Sequence, residues 1–108
     1  MTVLAEICAA IDCIAAAWVD TRIGVVVEQR TSREHALIGP ALDAMTELMR
    51  SRERPPRMVL LSAQHVHIAH RQARDPHRVL VVLCDRSANL GFAVATVRSI
   101  FEAAEQAA

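Results

Sequence analysis

Apolar positions change their spacing several times along this chain, and the changes mark out its elements. Val3, Leu4, Ile7 and Ala10 recur at helical spacing and predict a short amphipathic helix within the first ten residues. The run CIAAAWV, Cys13 to Val19, is apolar on both alternating sets, with Ile14, Ala16 and Trp18 on one and Cys13, Ala15, Ala17 and Val19 on the other. A strand covered on both faces reads this way. Asp20, Thr21, Arg22, Ile23 and Gly24 supply a turn, and Val25 to Gln29 resumes an extended pattern, giving a β-hairpin. Its second strand runs from Val25, Val26 and Val27 into Glu28, Gln29 and Arg30, polar residues that discourage pairing at a sheet edge.

Thr31 followed by Glu34 matches a capping box, in which each side chain satisfies a free backbone N–H, and predicts a helix start there. Gly39 and Pro40 interrupt that helix, which either kinks at Pro40 or begins its main body there. Leu37, Ile38, Ala41, Leu42, Ala44, Met45, Leu48 and Met49 cover an arc of roughly 160° at about 100° per residue, enough to face a sheet and a second helix together. The charged, proline-broken stretch RSRERPPR, Arg50 to Arg57, stops it. Met58 to Ala63, Val66 to Arg71 and Val79 to Cys84 then follow with short connections, as an antiparallel meander requires. VLVVLC carries no polar residue and is the most central strand of this reading. Ser87 or Asn89 can cap a final helix on which Leu90, Val94, Val97, Phe101 and Ala104 recur, running to about Glu105. One antiparallel sheet between helices covers strands that are apolar on both faces.

A chain of 108 residues has room for one domain, 1–108, and one core. Its 53% hydrophobic content excludes disorder and leaves apolar surface that favours self-association. Twelve basic and twelve acidic residues balance without a block of either sign, which argues against nucleic acid and anionic membrane as main partners. Every basic residue is Arg and none is Lys. Cys8, Cys13 and Cys84 are odd in number and lie in apolar contexts, and Glu6 and Asp12 break the N-terminal apolar stretch; together they fit a cytoplasmic protein without a signal peptide. The longest apolar run, Val79 to Cys84, falls far short of the roughly 20 residues a bilayer span needs.

Three stretches carry a family resemblance: CIAAAWVDTRIGVVVEQ, VLLSAQHVHIAHRQARDPHRVLVVLCDR and SANLGFAVATVRSI. In their order, and above all in LCDRSANLGFAVATVR, the chain resembles the roadblock/dynein light chain family over almost its whole length. The resemblance implies a profilin-like α/β (α+β) fold, a five-stranded antiparallel sheet in the order 2-1-5-4-3 with helices on both faces. It also implies a homodimer in which middle helices pack together and third strands pair edge to edge. Leu42, Met45, Met49, Met58, Leu60 and Ser62 are the expected interface residues. The N-terminal helix is shorter than in many members, and Gly39 and Pro40 depart from their middle helix. Members serve in dynein complexes, as lysosomal signalling scaffolds, and in bacteria as regulators of Ras-like polarity GTPases. The absence of Lys and the many Ala and Arg residues fit a bacterial source, and with it the GTPase-partner role, stimulation coming from remodelling of the GTPase and not from an arginine finger.

Rival chemistry is thin. His65 and His67 share a strand face and are the candidate metal pair, but His70 points the other way and no carboxylate or thiol stands at local ligand spacing. The expectation is therefore no metal and no cofactor, with these histidines on a solvated strand face and beside a turn. Cys84 beside Asp85 and Arg86 reads as a buried packing thiol before it reads as a nucleophile. Ser62 and Ser87 lack a paired His and Asp motif, and three glycines make no phosphate cradle, so no catalytic residue is assigned. Trp18 is expected in the core. Arg71, Arg74, Arg78 and Arg86 form either a basic rim for a GTPase or peptide partner or ordinary solvated turn charge. A dimeric scaffold for another complex and a His-based metal or ligand sensor are the alternative functions.

Overall fold

The computed structural model describes residues 2–51 and 55–107, so part of the stop between Arg50 and Arg57 lies outside the described residues. Three helices and five strands follow in the expected order: α1 (Val3–Ala10), β1 (Ala15–Asp20), β2 (Val25–Thr31), α2 (Ile38–Leu48), β3 (Arg57–Leu61), β4 (His65–Arg71), β5 (Arg78–Asp85) and α3 (Leu90–Ala107). The strands form one antiparallel sheet in the order β2-β1-β5-β4-β3, as the resemblance implied.

Both faces of the two central strands are covered, which is why their sequences show no polar alternation. Ala16, Trp18, Leu80, Val82 and Cys84 pack with Leu4 and Ile7 of α1 and with Ala93, Val97 and Phe101 of α3. Ala15, Ala17, Val19, Val79, Val81 and Leu83 pack with Ile38, Leu42, Met45 and Met49 on the other face. Trp18 is buried, as expected, with the Arg78 guanidinium 4.7 Å from its ring centroid.

Local chemistry sets the element ends. The Thr2 hydroxyl accepts the Ala5 N–H at 3.2 Å and caps α1, and Asn89 Oδ1 accepts the Phe92 N–H at 3.0 Å and caps α3. In the first hairpin Asp20 Oδ1 accepts the Arg22 N–H at 2.9 Å, and Gly24 adopts φ 71°, a left-handed conformation that favours glycine.

The expected capping box does not form. Thr31 stays extended at the end of β2, paired with Ala15, and its hydroxyl accepts a hydrogen bond from Gln29 Nε2 at 2.9 Å. Sheet pairing thus takes the residue that a local signal assigned to a helix. Helix α2 begins seven residues later, with Leu37 N–H donating to His35 Nδ1 at 3.1 Å just before it. Pro40 is the third helical residue, where its missing N–H breaks no intrahelical bond. Of the two readings of Gly39 and Pro40, the helix starts there.

Because Met45 is wholly buried between α2 and the sheet, Met45→Ala is expected to lower stability by about 2–5 kcal/mol through lost contacts and a residual cavity. Urea denaturation at fixed protein concentration measures it.

Candidate interaction surface

Among the described residues, edge strand β3 pairs only with β4. Ser62 N–H donates to His65 O at 2.9 Å and Arg71 N–H to Pro56 O at 2.7 Å, which fixes the alternation along the strand. Met58 and Leu60 therefore bond inward, and the N–H and C=O groups of Arg57, Val59 and Leu61 point away from the sheet. Val59, Leu60 and Leu61 keep 45%, 38% and 45% of their surface exposed, so this edge is apolar on both faces. Beside it, Arg57, Met58, Val59, His70, Val94 and Arg98 line a cleft of about 330 Å³ between β3 and α3.

The opposite edge is built differently. Strand β2 has exposed Val25, Val26 and Val27, but a register shift against Trp18 and Val19 bends it, and Glu28 and Arg30 charge it. Bulges and edge charges obstruct strand addition, and β3 has no bulge against β4.

The expected interface residues divide. Leu42, Met45 and Met49 are buried in the chain's own core, so they offer no surface to a second copy. One residue earlier around α2, Leu37 and Ala44 are exposed, and Ala41 and Leu48 are half-buried against the same core, a stripe with the same spacing that is partly open to solvent. The apolar arc is thus two stripes, and the inward one is Ile38, Leu42, Met45 and Met49. Met58 is half-buried against the α2-side core, Leu60 is exposed, and Ser62 closes the β3–β4 turn, accepting the His65 N–H at Oγ, 3.1 Å away. Val59 and Leu61, outside the expected set, are exposed residues of β3 whose backbone groups point outward. An alternating apolar strand does not reveal which of its residues bond outward.

The four arginines are not one rim. Arg71, Arg74 and Arg78 flank the β4–β5 turn, with Arg71 on the α2 face and Arg78 over Trp18 on the other, while Arg86 lies beyond the other end of β4, about 20 Å away at roughly 3.3 Å per residue. Arg71 donates to Met49 O at 2.5 Å, Ser51 O at 3.2 Å and Pro76 O at 2.5 Å, clasping the end of α2 to that turn. Arg86 donates to Ser62 O at 2.6 Å and braces the β3–β4 turn.

The histidines depart from the solvated-face reading, because His65, His67 and His70 are all buried. His65 and His67 share the α2 face, their ring centroids 6.3 Å apart, and the His35 ring stands edge-on to His65 at 4.9 Å. His70 faces the other way and stacks on Phe101 at 4.9 Å. Among the described residues no group of three or more His, Cys, Asp or Glu side chains is arranged to hold a metal ion. Burial, with the charge of His65 second, holds His67 below the usual imidazole range. Burial, then Arg57 and Arg98 against an opposing Glu102, does the same to His70. Cys84 is buried at the end of β5, and burial, then Asp12 and Asp85, pushes its thiol up to about 11, as suits a packing residue. No helix among the described residues is long and apolar enough to cross a membrane.

Solved structures share this arrangement. The gliding protein MglB of Thermus thermophilus superposes with a TM-score of 0.74 at 19% identity, over 96% of this chain and 84% of that one. MglC from Myxococcus xanthus gives 0.73 at 14% identity over 98% and 96%, and a Roadblock/LC7 domain from Streptomyces avermitilis gives 0.64 at 12% over 96% and 92%. No protein-family model matches the sequence, and no curated protein gives a significant match. The chain has the Roadblock/LC7 fold.

Histidines with lowered pKa values give the fold a definite acid response. The unfolded chain, whose imidazoles titrate near about 6.5, binds more protons than the folded chain below that pH. Their contribution to stability is complete above the unfolded value of about 6.5 and declines as pH falls below it, toward the lower folded-state values. Thermal melts across that window should show the decline, and replacing His67 and His70 together with Gln should flatten it.

Proposed function

We propose that this protein is a non-catalytic homodimeric regulator or adaptor of the roadblock family, and that its partner is a Ras-like small GTPase. The observation that supports this function is the unbulged, apolar, outward-bonding edge of β3. Left alone, such an edge is a template for uncontrolled pairing, and pairing with a second copy removes it. Val59 then lies opposite its own copy across a two-fold axis, with Arg57 opposite Leu61 on either side.

Magnitudes say what else the dimer uses. Fully burying a large apolar side chain contributes about 1.5–3 kcal/mol, so finishing the burial of six that are a little under half exposed contributes on the order of 4–8 kcal/mol. Association costs about 4–15 kcal/mol in lost freedom. The strand edge therefore needs a second contact, and the partly open stripe Leu37, Ala41, Ala44 and Leu48 is the surface we assign to it. Self-association also accords with a solved MglB described in a tetrameric arrangement.

The GTPase comes from the resemblance and from the shared fold with MglB. Fold does not by itself determine function, so the partner is tested directly. Hydrolysis of GTP by this chain is not expected. It has no Lys and no glycine-rich loop to cradle phosphates. A dimer that prefers one conformer of its partner shifts that partner's equilibrium by the difference in affinity.

Val59→Pro deletes an outward N–H without touching the β3–β4 ladder. Light scattering should find the wild type at twice 11.8 kDa and the variant folded at the single-chain mass. In pull-downs the wild type should retain the cognate small GTPase in one nucleotide state more than the other, with no GTP turnover of its own. Equal retention of the GTP-analogue and GDP forms would reduce the role to a scaffold, and a monomeric wild type would defeat the edge argument.

A further inference from the structure

The sulfurs of Cys8 and Cys13 stand 3.5 Å apart, although neither is bonded to the other. Cys8 lies in the last turn of α1 and is half-buried; Cys13 lies between α1 and β1 and is buried. The backbone explains the meeting. Ile11 leaves the helix in an extended conformation while its N–H still bonds Ile7 O at 3.0 Å, and Cys13 N–H bonds Ile11 O at 3.1 Å. The short connection thus returns Cys13 beside the helix it has just left.

We propose that Cys8 and Cys13 are a peroxide-responsive dithiol, which a hydroperoxide converts to an intramolecular disulfide joining α1 to the approach of β1.

The two sulfurs have different parts. Cys13 donates its S–H to Cys8 Sγ, and its own Sγ lies 3.9 Å from the Ser32 hydroxyl at the end of β2. Burial, then the neighbouring Cys8 and the hydrogen bond to it, push the Cys13 thiol up to about 12, so Cys13 keeps its proton at neutral pH. Cys8 is the sulfur nearer solvent and the one a peroxide meets. Cys8 gives up its proton and as the thiolate attacks the peroxide, forming an S–O bond and breaking the O–O bond; the departing hydroxide or alkoxide takes up that proton and leaves as water or an alcohol. Cys13 then attacks the Cys8 sulfur. The S–S bond forms, the S–O bond breaks, and the Cys13 proton leaves with the departing hydroxide as water. Each sulfur loses one electron and the peroxide gains both. The contact already made removes the search that a resolving thiol elsewhere in a chain would need.

This pair is separate from the β3 edge and does not depend on the partner proposed above. The test treats the reduced full-length chain, freed of reductant, with one equivalent of hydrogen peroxide at neutral pH, followed by alkylation under denaturing conditions. Before alkylation the intact mass should fall by two hydrogens per chain; after it, one alkyl group should be added, non-reducing peptide mapping should recover Cys8 joined to Cys13, and Cys84 should carry the alkyl group. Cys84→Ala should react as the wild type does, Cys8→Ser should not lose the two hydrogens, and Cys13→Ala should stop at a Cys8 sulfenic acid that dimedone traps. Wild-type mapping alone decides the matter even if a variant fails to fold. Recovery of Cys8 as sulfinic acid with Cys13 still alkylatable, a bridge to Cys84, or no reaction would each overturn the proposal.

Discussion

Strand β5 carries apolar side chains on both faces from Val79 to Cys84, and no arrangement that leaves either face to water is stable. The other features follow from covering it. Its two flanks are taken by β1, apolar on both faces, and by β4, whose α2 face carries His65, His67 and Ala69, and its two faces by α3 with α1 and by α2. Three helices centred on β1, β5 and β4 cannot also close over both outer strands. The fold therefore concentrates its burial in the middle and leaves β2 and β3 incomplete, one edge bent and charged, the other unbulged and apolar.

Helix α2 carries two apolar stripes. Its inward stripe completes the core, and the adjoining stripe, shifted by one residue, is partly open to solvent in the single chain. Arg71 fixes the helix's end to the β4–β5 turn, so α2 is held at its C-terminal end by charge-assisted hydrogen bonds as well as by packing. On the opposite face α1 is tied down by Leu4, Ile7 and the contact between Cys8 and Cys13.

Much of this is legible in the residues. Period and length place every strand to within a few residues, because runs such as Val79 to Cys84 have no alternative in a chain this short. The start of α2 is not legible. Thr31 and Glu34 satisfy a local capping pattern, but pairing with Ala15 extends β2 through Thr31 and outweighs it. Buried histidines escape because imidazole reads as polar, whereas the rings of His65 and His70 pack against His35 and Phe101. Arginines close in sequence suggest closeness in space, and the length of β4 separates Arg86 from the others. On β3 and its turn the expected interface residues, Met58, Leu60 and Ser62, are the set that bonds inward. Hydrogen-bond phase is fixed by the β3–β4 register and leaves no mark on side-chain type.

Amide hydrogen exchange of Arg57, Val59 and Leu61 separates a paired β3 edge from a free one, since these N–H groups have no partner within the sheet of a single chain. If the β3 edge joins two copies, these amides exchange slowly and their protection falls on dilution through the dissociation range. Fast exchange at concentrations where the protein is dimeric would place the interface elsewhere on the surface.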